Sequence, residues 1–198
     1  MGGGDKMVGR NKVMLRPHDV PECIVEAMHP YNLTDEDYYL YGCGRALSFI
    51  RMAADALNNL GNEQKIAEYH GYTGISAART SIDAAANWMN IKLGIGWKPS
   101  LKIDFTKNEF YKEVGNRKPS INSHIDCLRS FAKEIDKNRQ RAQHGEGLAM
   151  LYYSTGQWYL TNGLQAHRNE DKHLVNLLRE WADKIEEQIC QIIQVLSP

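Results

Sequence analysis

The segment 169–196 constrains this chain more than any other. Leu174, Leu178, Trp181, Ile185, Ile189, Ile192 and Leu196 recur at steps of three or four, with charged residues between them. That step is the period of one helical face, so the segment predicts a long helix whose apolar stripe other elements must cover. Three further stripes answer it. Between about 35 and 60 the register runs through Leu40, Cys43, Leu47, Ile50, Ala54, Leu57 and Leu60. Thr34 stands as its N-cap, Asp35, Glu36 and Asp37 suit the dipole of the first turn, and Asn58, Asn59 and Gly61 give a stop. Between about 62 and 94, Ile75, Ala78, Ile82, Ala85, Met89 and Leu93 share a face, with Gly71 and Gly74 as interruptions upstream. After Ser120, a helix over about 121–143 carries Ile121, Ile125, Leu128, Phe131 or Ala132, and Ile135.

Four long amphipathic helices with short connections imply an all-α, up-and-down bundle. A short helix is expected near 106–115, with Thr106 as cap, Glu109 at the capping-box position and Gly115 as stop. Residues 148–161 are rich in aromatic and β-compatible side chains, and Thr155-Gly156 separates two short runs. That pattern predicts a small β-hairpin, with a helical extension as the competing reading. Residues 1–34 read as irregular, punctuated by Pro17, Pro21 and Pro30, with one short helical turn in ECIVEAM. The bundle domain is therefore expected to occupy 35–198.

At 198 residues, 42% apolar and 24% charged, the chain suits a single globular domain. No run approaches the roughly 20 apolar residues of a membrane span. The opening MGGGDKMVGRNK lacks the apolar core of a secretory signal and reads as a flexible leader. Cys23, Cys43, Cys127 and Cys190 are scattered, and three fall in helix patterns, so reduced thiols in a cytoplasmic protein are the simpler expectation. Lys plus Arg and Asp plus Glu both count 24, so no overall positive field draws nucleic acid. A dedicated duplex binder is disfavoured, which leaves room for a site holding a short single strand by a few local cations.

The chemistry concentrates at the end of the 121–143 helix. Four residues beyond Ile135 the apolar stripe lands on Arg139, where a guanidinium is costly unless paired or facing a cleft. His144 follows at the helix end, a position that favours the protonated imidazole. An Arg and a His together suit RNA cleavage without a metal: the His moves the proton of a 2′-hydroxyl or leaving oxygen, and the Arg binds the phosphate. Residues five apart on an ideal helix diverge by about 140°, so the pair converges only where the helix loosens or across a dimer. Arg141 shares a face with His144 and could share or replace the Arg role, and Asn138, just before Arg139, is a further supporting residue. Asp83 and Asn87, one turn apart among alanines, form a polar island that could orient Arg139. A solvated basic last turn and a solvated helix edge are the bland readings of the same residues.

The run Arg139-Gln140-Arg141-Ala142-Gln143-His144 resembles the R-x4–6-H motif of HEPN domains, and it stands on the penultimate main helix, as in that family. The alanine-rich segment SAARTSIDAAANWMNIKLG and the closing helix are similar too. The resemblance implies a homodimer with two motifs facing across a cleft, metal-independent RNA cleavage by Arg139 and His144, and a setting in toxin–antitoxin or defence systems with an antitoxin partner. Gln140 and Glu146 depart from residues common in active and antitoxin-paired members. The alternative is thus a catalytically silent module binding RNA or protein.

No cofactor or metal is expected. His167 and His173 with Glu170 and Asp171 fit no ligand spacing, and no P-loop, dinucleotide-binding glycine pattern or H-E-x-x-H occurs. His124 reads as a polar surface residue. Trp88, Trp158 and Trp181 with Tyr152, Tyr153 and Tyr159 read as core and interface.

Overall fold

The computed structural model describes residues 20–29, 33–98, 103–143, 150–154, 156–160 and 172–197, leaving out the side chains of 140–143, 151 and 172. The helices are α1 (Glu22–Ala27), α2 (Asp35–Asn59), α3 (Gln64–Lys92), α4 (Asn108–Arg117), α5 (Asn122–Gln143) and α6 (Leu174–Leu196). A 3-10 turn, Pro119–Ile121, leads into α5. Strands β1 (Met150–Tyr152), β2 (Trp158–Leu160) and β3 (Lys172–His173) form a small antiparallel sheet in the order β1-β2-β3.

Each long helix runs opposite to the one before it. Gly42 lies beside Ala84 and Ala53 beside Gly74, which makes α2 and α3 antiparallel. His124 meets Gln188 near opposite ends of α5 and α6. Arg51 pairs with Asp183 while Arg179 pairs with Asp55, so α6 also runs against α2. Gly74 packs on Leu178 and Gly71 on Leu174, so α3 and α6 run the same way across the core. The up-and-down bundle expected from four stripes is the observed architecture. The stripe of α6 supplies Leu174, Leu178, Trp181, Ile185, Ile189 and Ile192, all buried.

Local chemistry explains where helices start and stop. Thr34 caps α2 through a reciprocal capping box with Asp37. Asp37 is fully buried and also accepts from the backbone of His29 at 2.9 Å, tying residues 20–29 to the bundle. Burial pushes its carboxyl upward, but the hydrogen bonds from Thr34 and His29 outweigh that and hold it below the usual carboxylate range. The expected short turn in ECIVEAM is α1, and its Ile24 is buried in the core.

Several expectations are corrected. Gly71 and Gly74 do not interrupt α3: a Cβ on Gly71 would sit 2.9 Å from Met150 Sδ, and one on Gly74 2.8 Å from Leu178 Cδ1. They are glycines because neighbours press against the helix there. Thr106 does not cap α4, since its amide and hydroxyl both donate to Asp104, and α4 starts at Asn108. Nor does Gly115 stop α4, which continues to Arg117. The last helix begins at Leu174, capped by His173 Nδ1, which accepts from the Asn176 amide at 3.1 Å. The hairpin at 148–161 is present, pairing Met150 with Leu160 and Tyr152 with Trp158, with Gly156 at φ +78° in its turn. The third strand had no clear sequence signal.

The cysteines differ most from expectation. Cys23 and Cys190 are joined as a disulfide, so the reading of all four as reduced thiols does not hold. Their Cα atoms lie 5.7 Å apart because α1 packs across the C-terminal half of α6. Cys43 is a buried free thiol, pushed well up by burial, and Cys127 is exposed and free. Among the described residues no helix is long and apolar enough to cross a membrane.

Candidate functional site

A buried guanidinium organises the polar side of the bundle. Arg79 stands four residues after Ile75 and three before Ile82, which puts it on the inward face of α3 with only 4% of its side chain exposed. Three carboxylates close around it. Asp83 pairs with its Nη1 from one turn further along α3, Asp104 accepts from Nη2 at 2.8 Å, and Asp136 of α5 accepts from Nε at 3.1 Å. An unpaired charge at this depth would cost several kcal/mol, so the three acids are what let Arg79 stay inside.

Arg139 joins this network through its own helix. Its Nη2 lies 3.2 Å from Asp136 Oδ1, the same oxygen that faces Arg79 Nε. One carboxylate thus bridges a buried guanidinium and a second one whose side chain is 33% exposed. Arg139 Nε is enclosed and without a partner among the described residues, while the rest of the side chain reaches solvent. The orientation of Arg139 is therefore set from the core outward, by Arg79 through Asp136.

The carboxylates differ electrostatically. Burial pushes Asp83 up to about 6, the charge of Asp104 adds to this, and Arg79 and Arg139 oppose it. Burial acts the same way on Asp104, but hydrogen bonds from Thr106 and the charge of Arg79 win, leaving it below the usual range. Two like charges share one cation, and the one with more hydrogen bonds keeps its ionisation more easily. Counting groups, three acids face two guanidiniums, so the cluster has no net positive charge near neutral pH.

The expected site residues divide. Arg139 lies where the stripe predicted it, at the edge of the core. Asp83 lies in the same network and feels the charge of Arg139, but its ion pair is with Arg79. Asn87 donates to the Asp83 carbonyl at 2.8 Å, and Asn138 to the Glu134 carbonyl at 3.2 Å, so both bond to their own helices rather than to Arg139. His144 and Glu146 lie outside the described residues, as do the side chains of Gln140 and Arg141. The convergence of Arg139 with His144 is accordingly not described. His124 is less of a surface residue than expected, part-buried with Nδ1 2.8 Å from Gln188 Oε1.

His173 serves as the α6 cap, while His167, Glu170 and Asp171 lie outside the described residues; among those described, no group of acids, His and Cys is placed to hold a metal. Trp88, Trp158 and Trp181 belong to the core, as expected, while Tyr152 is exposed. Trp88 donates to Glu36 at 3.2 Å, Trp158 to the Gly61 carbonyl at 3.2 Å, and Trp181 is buried.

Sequence reasoning missed Arg79, Asp104 and Asp136. The signal for Arg79 was the one that marked Arg139: a cation on a core stripe. Asp104 and Asp136 carry no such mark, since an acid in a loop or at a helix edge is ordinary until its partner is known. The chain matches no protein family, no curated protein and no solved structure in the comparisons made with each.

Proposed function

We propose that this chain is a HEPN-like module that acts on RNA as a homodimer, with Arg139 and His144 as its working pair. In this reaction the 2′-oxygen attacks the adjacent phosphorus and the bond to the 5′-oxygen breaks, giving a 2′,3′-cyclic phosphate and a 5′-hydroxyl. His144 takes the proton of the 2′-hydroxyl or supplies one to the leaving oxygen, and Arg139 offsets charge growing on the phosphate oxygens. No metal enters these steps. The toxin–antitoxin or defence setting, with an antitoxin partner, belongs to the same proposal and rests on the resemblance alone.

The observation that carries the reading is the anchoring of Arg139. Asp136 pairs with its Nη2, Arg79 holds Asp136, and a third of the side chain still faces solvent. A cation fixed in place before its ligand arrives loses little orientational freedom on binding, which is what transition-state stabilisation asks of it.

One observation favours the second reading, a catalytically silent binding module. Asp136 already engages Arg139 within the chain, and three acids against two guanidiniums leave the cluster without the positive potential that phosphate prefers. Incubating a mixed RNA pool in EDTA with wild type, Arg139→Ala and His144→Ala separates the two. Cleavage to cyclic-phosphate ends by wild type, lost in both variants, is the expected result. RNA retained on wild-type protein without cleavage would instead establish the silent module.

A further inference from the structure

Residues 20–29 lie across the bundle as a strap. Helix α1 within it packs on both α2 and α6, so it covers the seam between them. The strap is lightly held: of the 6 residues of α1 only Ile24 is buried, while Glu22, Val25 and Glu26 are exposed. Ahead of α1, Val20 presses on the bare backbone of Gly44, where a Cβ would collide with Val20 Cγ1. So short a helix does not hold itself in water, and ordering the whole strap costs more than Val20 and Ile24 return by burial. Two ties make up the difference. At the far end the His29 amide and ring meet buried Asp37 at 2.9 and 3.1 Å. Near the start stands the Cys23–Cys190 disulfide. Both cysteines are partly exposed, so this bond is within reach of a reductant, as one enclosed in a core is not.

Beneath the strap lies a thiol. Arg51 pairs with Asp183 and Asp55 with Arg179, which fixes the antiparallel register of α2 and α6. About two turns on from the Arg51–Asp183 pair, that register sets Cys43 and Gly44 level with Cys190. Cys43 is fully buried there, and its thiol feels the charge of Glu186, one turn before Cys190. The apolar stripes of α2, α3, α5 and α6 pack on one another without α1 between them, so lifting the strap opens the seam at Cys43 and leaves the bundle in place.

We infer that Cys23–Cys190 is a redox latch: oxidised, it holds the strap shut over the α2–α6 seam, and reduced, it lets the strap swing about His29 and uncovers Cys43. The reductant is a dithiol. One of its thiolates attacks a sulfur of the bond, forming a mixed disulfide while the other cysteine leaves as thiolate and takes up a proton. The second thiol of the reductant then attacks the mixed disulfide. Two electrons and two protons have passed, the reductant leaves as a disulfide, and Cys23 and Cys190 are left as thiols. A disulfide oxidant closes the latch by the reverse steps. The latch is remote in the fold from the Arg79 cluster, and it stands whether or not RNA is cleaved.

Alkylation of the native full chain with iodoacetamide, read cysteine by cysteine in a mass spectrometer, tests it. The oxidised chain should label at exposed Cys127 alone. After reduction with dithiothreitol and removal of the excess, Cys23 and Cys190 should label, and Cys43 should label at least about 100-fold faster than before. The amides of 22–28 should exchange at least about tenfold faster, while helical circular dichroism stays nearly unchanged. Cys23→Ser combined with Cys190→Ser should show the same open state with no reductant present, which separates release of the strap from other effects of the thiol. Four free thiols in the oxidised chain would overturn the inference. Cys43 labelling at one rate in both states would overturn it as well, since packing alone would then keep that seam as it is. Loss of the cooperative thermal transition on reduction would also overturn it, because the bond would then hold the whole bundle and not a strap.

Discussion

Helix α3 packs on two neighbours in opposite ways. Toward α6 it is dry and close: Gly74 receives Leu178, Gly71 receives Leu174 and Met150, and a methyl group would already crowd either position. Toward α5 and the loop before α4 it presents a buried guanidinium held by three acids. The first contact is what a helical bundle needs to exist, because apolar area leaves water and interlocking shape fixes one packing. The second is not needed for that. A buried ionic network often does no better than apolar residues of similar volume, though removing one member leaves the others stranded. A fold that keeps such a network beside an anchored Arg139 is spending stability on the position of a side chain.

That contrast can be broken by substitution. Arg79→Ala should be the most damaging change, costing about 4 kcal/mol in urea unfolding, because three acids lose their common partner. If it cost less than an apolar truncation, the network would be solvated and the contrast would fail. Leu178→Ala should cost about 3 kcal/mol from lost transfer and a cavity against α3. Gly74→Ala should cost about 2 kcal/mol by overpacking against Leu178 and Ala53, and pairing it with Leu178→Ala should recover part of the loss. Additive losses in that double variant would show that the glycine is not there for close approach.

The smallest effect is a pH dependence. Asp83 is raised from 3.8 to about 6, so the folded state holds its proton more tightly than the unfolded chain. Relative to Asp83→Asn, wild type should therefore be at its best below about 3.8, lose ground as pH rises to about 6, and stay level above that. A difference in urea midpoints that does not change between pH 4 and 6 would mean that solvent screens Asp83 and that burial of the cluster is shallower than the ion pairs suggest.

The four long helices, their order and their antiparallel run were legible in the chain, because an apolar stripe at helical period can be stabilised only by burial against others. Arg139 was legible for the same reason, as a cation where the stripe called for an apolar group. The local rules failed where a distant residue decided the outcome. Gly71 and Gly74 read as breaks, yet they are points where α6 and the sheet press close; Thr106 read as a helix cap, yet its hydroxyl goes to Asp104. Cys23 and Cys190 stand 167 residues apart, and only the packing of α1 on α6 brings their sulfurs together. Asp104 and Asp136 are likewise unremarkable one at a time. The sequence by itself determined which faces must be buried, since hydrophobic periodicity is a property of neighbours along one helix. Which polar groups share a site was decided by the tertiary structure alone, because a buried charge is stabilised by partners that the chain brings near only once the helices have packed.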